Sequence, residues 1–369
     1  MTTTVTAAVA RAPHEPLTIE ELELDDIRPT EVRVKLAASG VCHTDAIVRD
    51  QVYPTPLPAV LGHEGAGIVE AVGSEVTTVV PGDHVLLAAA YCGHCDLCRA
   101  GKMAYCENLF AADFGGRRTD GTTALSKDGE VISSHFFGQS SFSTHANVVQ
   151  ESVIKIDPDV PLDIVAPLGC GIQTGAGTVL NELQPSLNST LVVLGTGAVG
   201  AGAIMAGRVA GCSKVIAVDI HESRLELATE LGATHTVNTR DSDLTEAILE
   251  ITGGKGADYV VDTTARPELL RKAADALGIR GTLVLVGAAK PGTEVTFEIG
   301  LSLVKGWTFK TVVQGSSVPQ VFIPKLIELW KEGRFPIDKL VKHYALEDIN
   351  QGFEDSASGV TVKPVVVFA

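Results

Sequence analysis

The run Gly195-Thr196-Gly197-Ala198-Val199-Gly200 constrains this 369-residue chain more than any other segment. The G-x-G-x-x-G pattern is weak alone. Here it follows the apolar run Leu191–Leu194 and opens a helical stretch, Ala201 to Ala210. A second apolar run then ends on Asp219, 19 residues beyond Gly200. The three glycines serve different physical ends. Gly195 permits a tight turn, Gly197 lets backbone approach a pyrophosphate, and Gly200 lets helix pack on strand. The helix N-terminus offers unpaired N–H groups to phosphates. Asp219 would accept hydrogen bonds from an adenosine ribose and repel a 2′-phosphate. The context predicts a dinucleotide fold taking NAD rather than NADP, a chance glycine turn being the competing reading.

From Leu191 onward, short apolar runs (Val215–Asp219, Tyr259–Asp262, Thr282–Val286) alternate with helical stretches such as Ser223–Leu231 and Glu268–Leu277. That rhythm predicts a parallel, doubly wound sheet. The first ~160 residues read differently, as mostly β. Met1 to Ala10 reads as a first strand, followed by Glu31–Leu36, Gly67–Val72 and, after the turn Pro81-Gly82-Asp83, His84–Leu87. Beyond Trp307 the alternation fades, and a last β run spans Val360 to Phe368. A length of 369 suits two domains. With 29 basic against 45 acidic residues the formal charge is −16, which argues against a general nucleic-acid or anionic-membrane binder. The charge-free run Pro185 to Gly207 is too broken by glycine to read as a membrane span. The start lacks a basic n-region, so a cytoplasmic location with reduced thiols is expected.

Seven cysteines cannot all pair within one chain. Cys92, Cys95, Cys98 and Cys106 form C-x2-C-x2-C-x7-C in a short Gly- and polar-rich loop, which suits a closed tetrahedral zinc site. A disulfide cluster or iron–sulfur site is the alternative, and a reducing compartment lowers the first. His94 is surplus to four sulfurs. Cys42, His63 and Cys170 are scattered, each in a Gly-rich setting. Two thiolates and an imidazole leave a fourth position open, as in catalytic zinc; by spacing alone each is equally a buried cysteine or core histidine. Cys212 reads as a small buried hydrophobe.

Together these motifs resemble the zinc-dependent medium-chain dehydrogenase/reductase family, the alcohol dehydrogenases, over essentially the full length. Gly62-His63-Glu64 followed by Gly67 and Gly73 is similar to that family's zinc signature, and the four-cysteine lobe and coenzyme fingerprint fall in its order. Within the family, Cys42-His43-Thr44-Asp45 and Leu168-Gly169-Cys170-Gly171-Ile172-Gln173-Thr174-Gly175 most resemble bacterial aryl-alcohol (benzyl alcohol) dehydrogenases. The resemblance implies a GroES-like, mostly β catalytic domain from both chain ends (1–171, with a zinc lobe about 88–110, and 313–369). A Rossmann domain, 172–312, is inserted between them. It implies two Zn²⁺ per chain: a catalytic ion on Cys42, His63 and Cys170, with Glu64 just behind, and a structural ion on the four-cysteine lobe. It also implies NAD and a homodimer or homotetramer.

The implied reaction is reversible oxidation of a primary alcohol to an aldehyde, with hydride passing to the nicotinamide. By resemblance Thr44 accepts the alcohol proton, while Val199 and Thr174 flank the nicotinamide. His43 and Lys363 face the pyrophosphate, and Arg224 the adenosine ribose. Relatives often carry histidine three residues past the relay hydroxyl, where this chain has Ile47, so protons are expected to leave through coenzyme ribose and water or through His43. Phe110, Phe114, Phe136, Phe137 and Phe142 place five of 11 phenylalanines within 33 residues, in a chain only 5% aromatic. Resemblance puts Phe136 and Phe137 near the alcohol pocket with Tyr53, Ala88 and Ala288, the small Ala88 widening a site for benzyl-type or allylic alcohols. The plain alternative is that these aromatics form the core of the zinc lobe. Competing functions are a broad aliphatic alcohol dehydrogenase, a glutathione-dependent formaldehyde dehydrogenase using Arg117-Arg118, and a redox-silent NAD-binding structural or sensor protein. With six thiolates and two Zn²⁺ the holo chain would carry about −18. An anionic coenzyme would then bind through local groups against the overall field.

Overall fold

Six strands of the computed structural model, which describes residues 2–368, form one wholly parallel sheet. In space they run His235–Asn238, Lys214–Asp219, Thr190–Leu194, Ala257–Asp262, Leu277–Leu285 and Thr308–Thr311. This 3-2-1-4-5-6 order is that of the dinucleotide-binding fold. The central strand, Thr190–Leu194, is buried at every position, as expected for a continuous apolar run with both faces covered. The edge strands carry polar, partly exposed residues instead. These elements belong to a compact unit of Gly171–Ser317 and Glu328–Pro336. The observed helix after the glycine turn starts at Ala198, three residues before the predicted Ala201.

The glycine turn shows what each residue type is for. Gly195 has φ +82, and a Cβ on Gly200 would stand 1.9 Å from the Gly195 carbonyl, so the turn itself demands both. A Cβ on Gly197 would meet nothing within 4 Å. No group among the described residues requires glycine there.

The other compact unit comprises Met1–Cys170, Val318–Ile327 and Ile337–Ala369. One of its sheets is wholly antiparallel, in the order Ala59–Val60, Thr3–Ala10, Thr18–Leu24, Leu125–Lys127, Glu130–Ile132. The second is built on Glu31–Gly40, which pairs with Gly65–Val72, His145–Val149 and the C-terminal strand Lys363–Val367. The last of these pairings draws the chain end back to the strand that leads into Cys42.

Glu31, at the start of that strand, anchors a buried ionic cluster. Its Oε1 accepts from Arg118 Nε at 2.6 Å and lies 2.9 Å from His135 Nε2, and its Oε2 accepts from the Arg28 backbone N–H. Arg118 also grips Asp25 through both terminal nitrogens. Burial alone would raise the Glu31 pKa, but His135 and Arg118 overcome it and hold the carboxyl at about 2, against an ordinary 4.5. A depressed carboxyl stabilises the fold above its unfolded pKa and loses that contribution as pH falls through its folded pKa. Glu31 should therefore supply on the order of 3 kcal/mol at neutral pH, lost between about pH 4.5 and 2. Urea unfolding of wild type and Glu31→Gln across that window should converge as pH falls; parallel curves would contradict this.

Candidate active site

Cys42 leaves the strand Glu31–Gly40 and caps the seven-residue helix His43–Arg49. Three residues on, Asp45 is fully buried and reaches back: Oδ2 accepts from the Cys42 N–H at 3.0 Å, while Oδ1 accepts from the Gly62 N–H at 3.0 Å. Oδ1 also lies 2.9 Å from His63 Nδ1. With Nδ1–H donated to a carboxylate, Nε2 is the ring nitrogen left with a lone pair. His63 Nε2 is buried and has no hydrogen-bond partner among the described residues. Burial would lower the His63 pKa, yet the Asp45 charge and hydrogen bond raise it well above the ordinary value, so a metal ion would have to displace the Nε2 proton to use that lone pair.

One ligand atom each from Cys42, His63, Glu64 and Cys170 lie within 4.8 Å of one another. An orphaned imidazole nitrogen facing two sulfurs is the donor set that fits zinc. Cys42 is driven well toward the thiolate, chiefly by a hydrogen bond with the Cys170 thiol and further by the Lys363 charge. Behind the cluster, Lys363 is only 1% exposed and donates to Glu64 at 2.8 Å and to the Val41 carbonyl at 3.0 Å. Burial would lower its pKa, but the Glu64 carboxylate and Cys42 raise it, so the ammonium stays charged. Lys363 is thus paired with Glu64 behind the cluster. Gly40 makes room for that pair, since a Cβ there would stand 2.1 Å from Glu64 Oε2.

Thr44 is half-buried, its Oγ1 3.8 Å from Cys42 Sγ; His43 is exposed and Ile47 half-buried. The His63 ring stacks on Phe137 with centroids 4.5 Å apart and meets the Phe136 edge at 5.5 Å. Phe114 joins this group, 5.2 Å from Phe137, 6.1 Å from Phe136 and 5.9 Å from Tyr53. Ala88 is buried, its carbonyl accepting from Gln139 Nε2. Phe136, Phe137 and Phe142 all lie in one core cluster, in which Phe142 packs on Phe353; Phe114 and Tyr53 pack against that cluster. Of the basic pair considered for glutathione, Arg118 is committed to Asp25 and Glu31, and only Arg117 is exposed.

The sulfurs of Cys92, Cys95, Cys98 and Cys106 also gather within 4.8 Å. Backbone N–H groups point at them: Cys95 N to Cys92 Sγ and Cys98 N to Cys95 Sγ at 3.4 Å, and Cys92 N to Cys106 Sγ at 3.3 Å. Such donors favour thiolates, and four thiolates without counter-charge would repel, so this set also fits zinc. His94 is exposed, with Nδ1 2.6 Å from the Cys92 carbonyl, outside the sulfur cluster. All seven cysteines are free of disulfides.

In the parallel-sheet unit, Asp219 ends its strand beside the glycine turn, and Arg224 lies in the helix Glu222–Glu230 that follows. Thr174 is buried in the helix Gly171–Gly177, which approaches so closely that a Cβ on Gly175 would sit 1.8 Å from the Val199 carbonyl. Ala288 is exposed after the fifth strand of the sheet, in spatial order. Reading the sequence missed Asp45 as the group that sets the His63 tautomer. Its signal was a Cys-x-x-Asp capping pattern, which alone is common. No helix among the described residues is long and apolar enough to cross a membrane.

Residues 28–158 match the family described as "Alcohol dehydrogenase GroES-like domain" and residues 198–332 that described as "Zinc-binding dehydrogenase". The chain is 40% identical over 364 residues to a geraniol dehydrogenase of Castellaniella defragrans, covering 98% of this chain and 97% of that protein. Among solved structures, an alcohol dehydrogenase zinc-binding domain protein from Burkholderia ambifaria superposes with a TM-score of 0.98 at 52% identity. The benzyl alcohol dehydrogenase of Acinetobacter calcoaceticus gives 0.96 at 46% identity. Both comparisons cover 100% of each chain.

Proposed function

The chain belongs to the zinc-binding alcohol dehydrogenases, and on that premise we propose that it reversibly oxidises a primary benzyl-type or allylic alcohol to the aldehyde, with NAD taking the hydride. The observation that carries the substrate class is the aromatic group around His63. A candidate zinc ligand stacked on Phe137, which in turn packs on Phe114, sets the metal beside an aromatic, apolar wall, which suits an unsaturated carbon next to the carbinol. The alcohols named for the Castellaniella and Acinetobacter relatives share that feature.

When bound, zinc supplies Lewis-acid polarisation of the alcohol oxygen and NAD supplies the hydride acceptor. The remaining work falls to the chain. Cys42, His63 and Cys170 would hold the metal, and Asp45 keeps Nε2 of His63 available to it. The Thr44 hydroxyl, next to Cys42 Sγ, is suited to accept the alcohol proton. His43, exposed on the same helix, stands where a proton can pass to water. Glu64 and Lys363 form a buried ion pair that leaves one net charge balanced against the other behind the metal ligands. Gly195, Gly197, Gly200 and Asp219 would hold the adenosine half of NAD, with Arg224 beside the ribose, and Thr174, Val199 and Ala288 near the nicotinamide and substrate.

The reading is tested by NADH formation with benzyl alcohol, geraniol, hexanol and ethanol. Benzyl alcohol and geraniol should give the highest kcat/KM, with activity abolished by chelation and strongly reduced in Thr44→Ala; equal kcat/KM for ethanol would refute the substrate class. Proton exit is tested by Ile47→His. A second titratable relay should flatten the pH dependence of hydride transfer, and an unchanged profile would remove Ile47 from the proton path.

A further inference from the structure

Asp219 has no acceptor to spare. Its Oδ2 accepts from the Thr196 backbone N–H and from the Thr196 hydroxyl, both at 2.8 Å. Its Oδ1 accepts from the Ile220 N–H at 2.7 Å and the His221 N–H at 3.1 Å. A carboxylate has about four lone-pair sites, and here all four are taken. The residue is 8% exposed and Thr196 only 3%, so water competes weakly for these bonds.

A ribose diol reaching Asp219 must therefore replace one donor. Three of the four are backbone N–H groups, fixed by the strand end and by the glycine turn. Only the Thr196 hydroxyl can leave by rotating a side-chain bond. We propose that Thr196 is a positioning residue that sets coenzyme affinity: in the free protein its hydroxyl occupies the Asp219 acceptor that the adenosine ribose must take. The inference rests on the reading of this turn as the NAD site. It adds that the second position of the fingerprint tunes binding through the acidic residue 23 positions away. The four donors also keep Asp219 ionised, since burial raises its pKa and these bonds overcome that.

The test is fluorescence titration of the zinc-loaded protein with NADH. Thr196→Ala is the informative change, because a valine methyl would crowd Oδ2 where the hydroxyl now sits at 2.8 Å. It removes the competing donor and keeps the backbone N–H, so NADH should bind about three- to tenfold tighter. Thr196→Ser, which restores the hydroxyl, should bind as wild type does. The gain in Thr196→Ala should vanish with an NADH analogue whose adenosine ribose lacks both hydroxyls. Unchanged or weaker NADH binding by Thr196→Ala, or the same gain with the analogue, would overturn the proposal alone. Failure of the wild type to bind NADH would overturn the coenzyme reading, and this inference with it.

Discussion

Changing Cys98 to serine is expected to cut bound zinc from two ions per chain to one and to melt the segment around residues 92–108. The reason lies in how little else holds that segment together. Its buried cluster is Cys95, Cys98 and Cys106 themselves, with Tyr91, Cys92, Leu97 and Leu109 only partly buried against them. Its helices are Asp96–Arg99 and Met103–Tyr105, four and three residues long, far below the length at which a helix stands alone. Order here must come from the metal. Structural zinc in small domains supplies about 10–16 kcal/mol of apparent folding free energy at pH 7, and a lost thiolate removes a large part of it.

The effect should reach the chemistry. Leu109–Phe114 follows the last cysteine and carries Phe114 to Phe136 and Phe137. Cys98→Ser should thus combine rapid limited proteolysis within 92–108 with a raised KM for benzyl alcohol. Retention of two zinc ions and of protease resistance would show that the lobe is ordered by packing instead.

Legibility in the sequence followed the range of the forces involved. Central strands of the parallel sheet were plain because both faces are covered and the runs are unbroken apolar, as in Thr190–Leu194. The edge strand His235–Asn238 was not, since it exposes polar residues and is defined only by its pairing with Lys214–Asp219. The helix Leu244–Ile251 is marked mainly by Asp243, which caps it through the Thr245 and Glu246 N–H groups, a pattern that is common outside helices too. The four-cysteine lobe was legible because its sulfurs are close in sequence. The pairing of Lys363 with Glu64 has no local pattern, because the two are 299 residues apart. The cluster of Glu31, Arg118 and His135 spans up to 104 residues and has no local pattern. Positive backbone φ at His135 and Phe137, which turns the aromatic pair toward His63, likewise has no glycine to announce it.

Asp45 is a single carboxylate that caps a helix and also governs a metal ligand. It receives three donors: Cys42 N–H on Oδ2, and Gly62 N–H and His63 Nδ1 on Oδ1. Asp45→Asn keeps the volume but makes half of the group a donor. If the amide oxygen stays toward His63, the NH₂ faces the Cys42 N–H at 3.0 Å, donor against donor. If it flips, the NH₂ faces Gly62 N–H and Nδ1, and His63 must move its proton to Nε2, where it can no longer ligate. Each orientation leaves a buried donor unmet, at a cost of about 1–3 kcal/mol. Loss of such a partner typically costs about 10–100-fold in metal affinity or activity. Zinc affinity by chelator competition and kcat/KM should therefore fall together by that factor, with the unfolding midpoint shifted far less than in Cys98→Ser. If Asp45→Asn stays within about twofold of wild type in both, the His63 tautomer is set by the metal itself and Asp45 is only a cap.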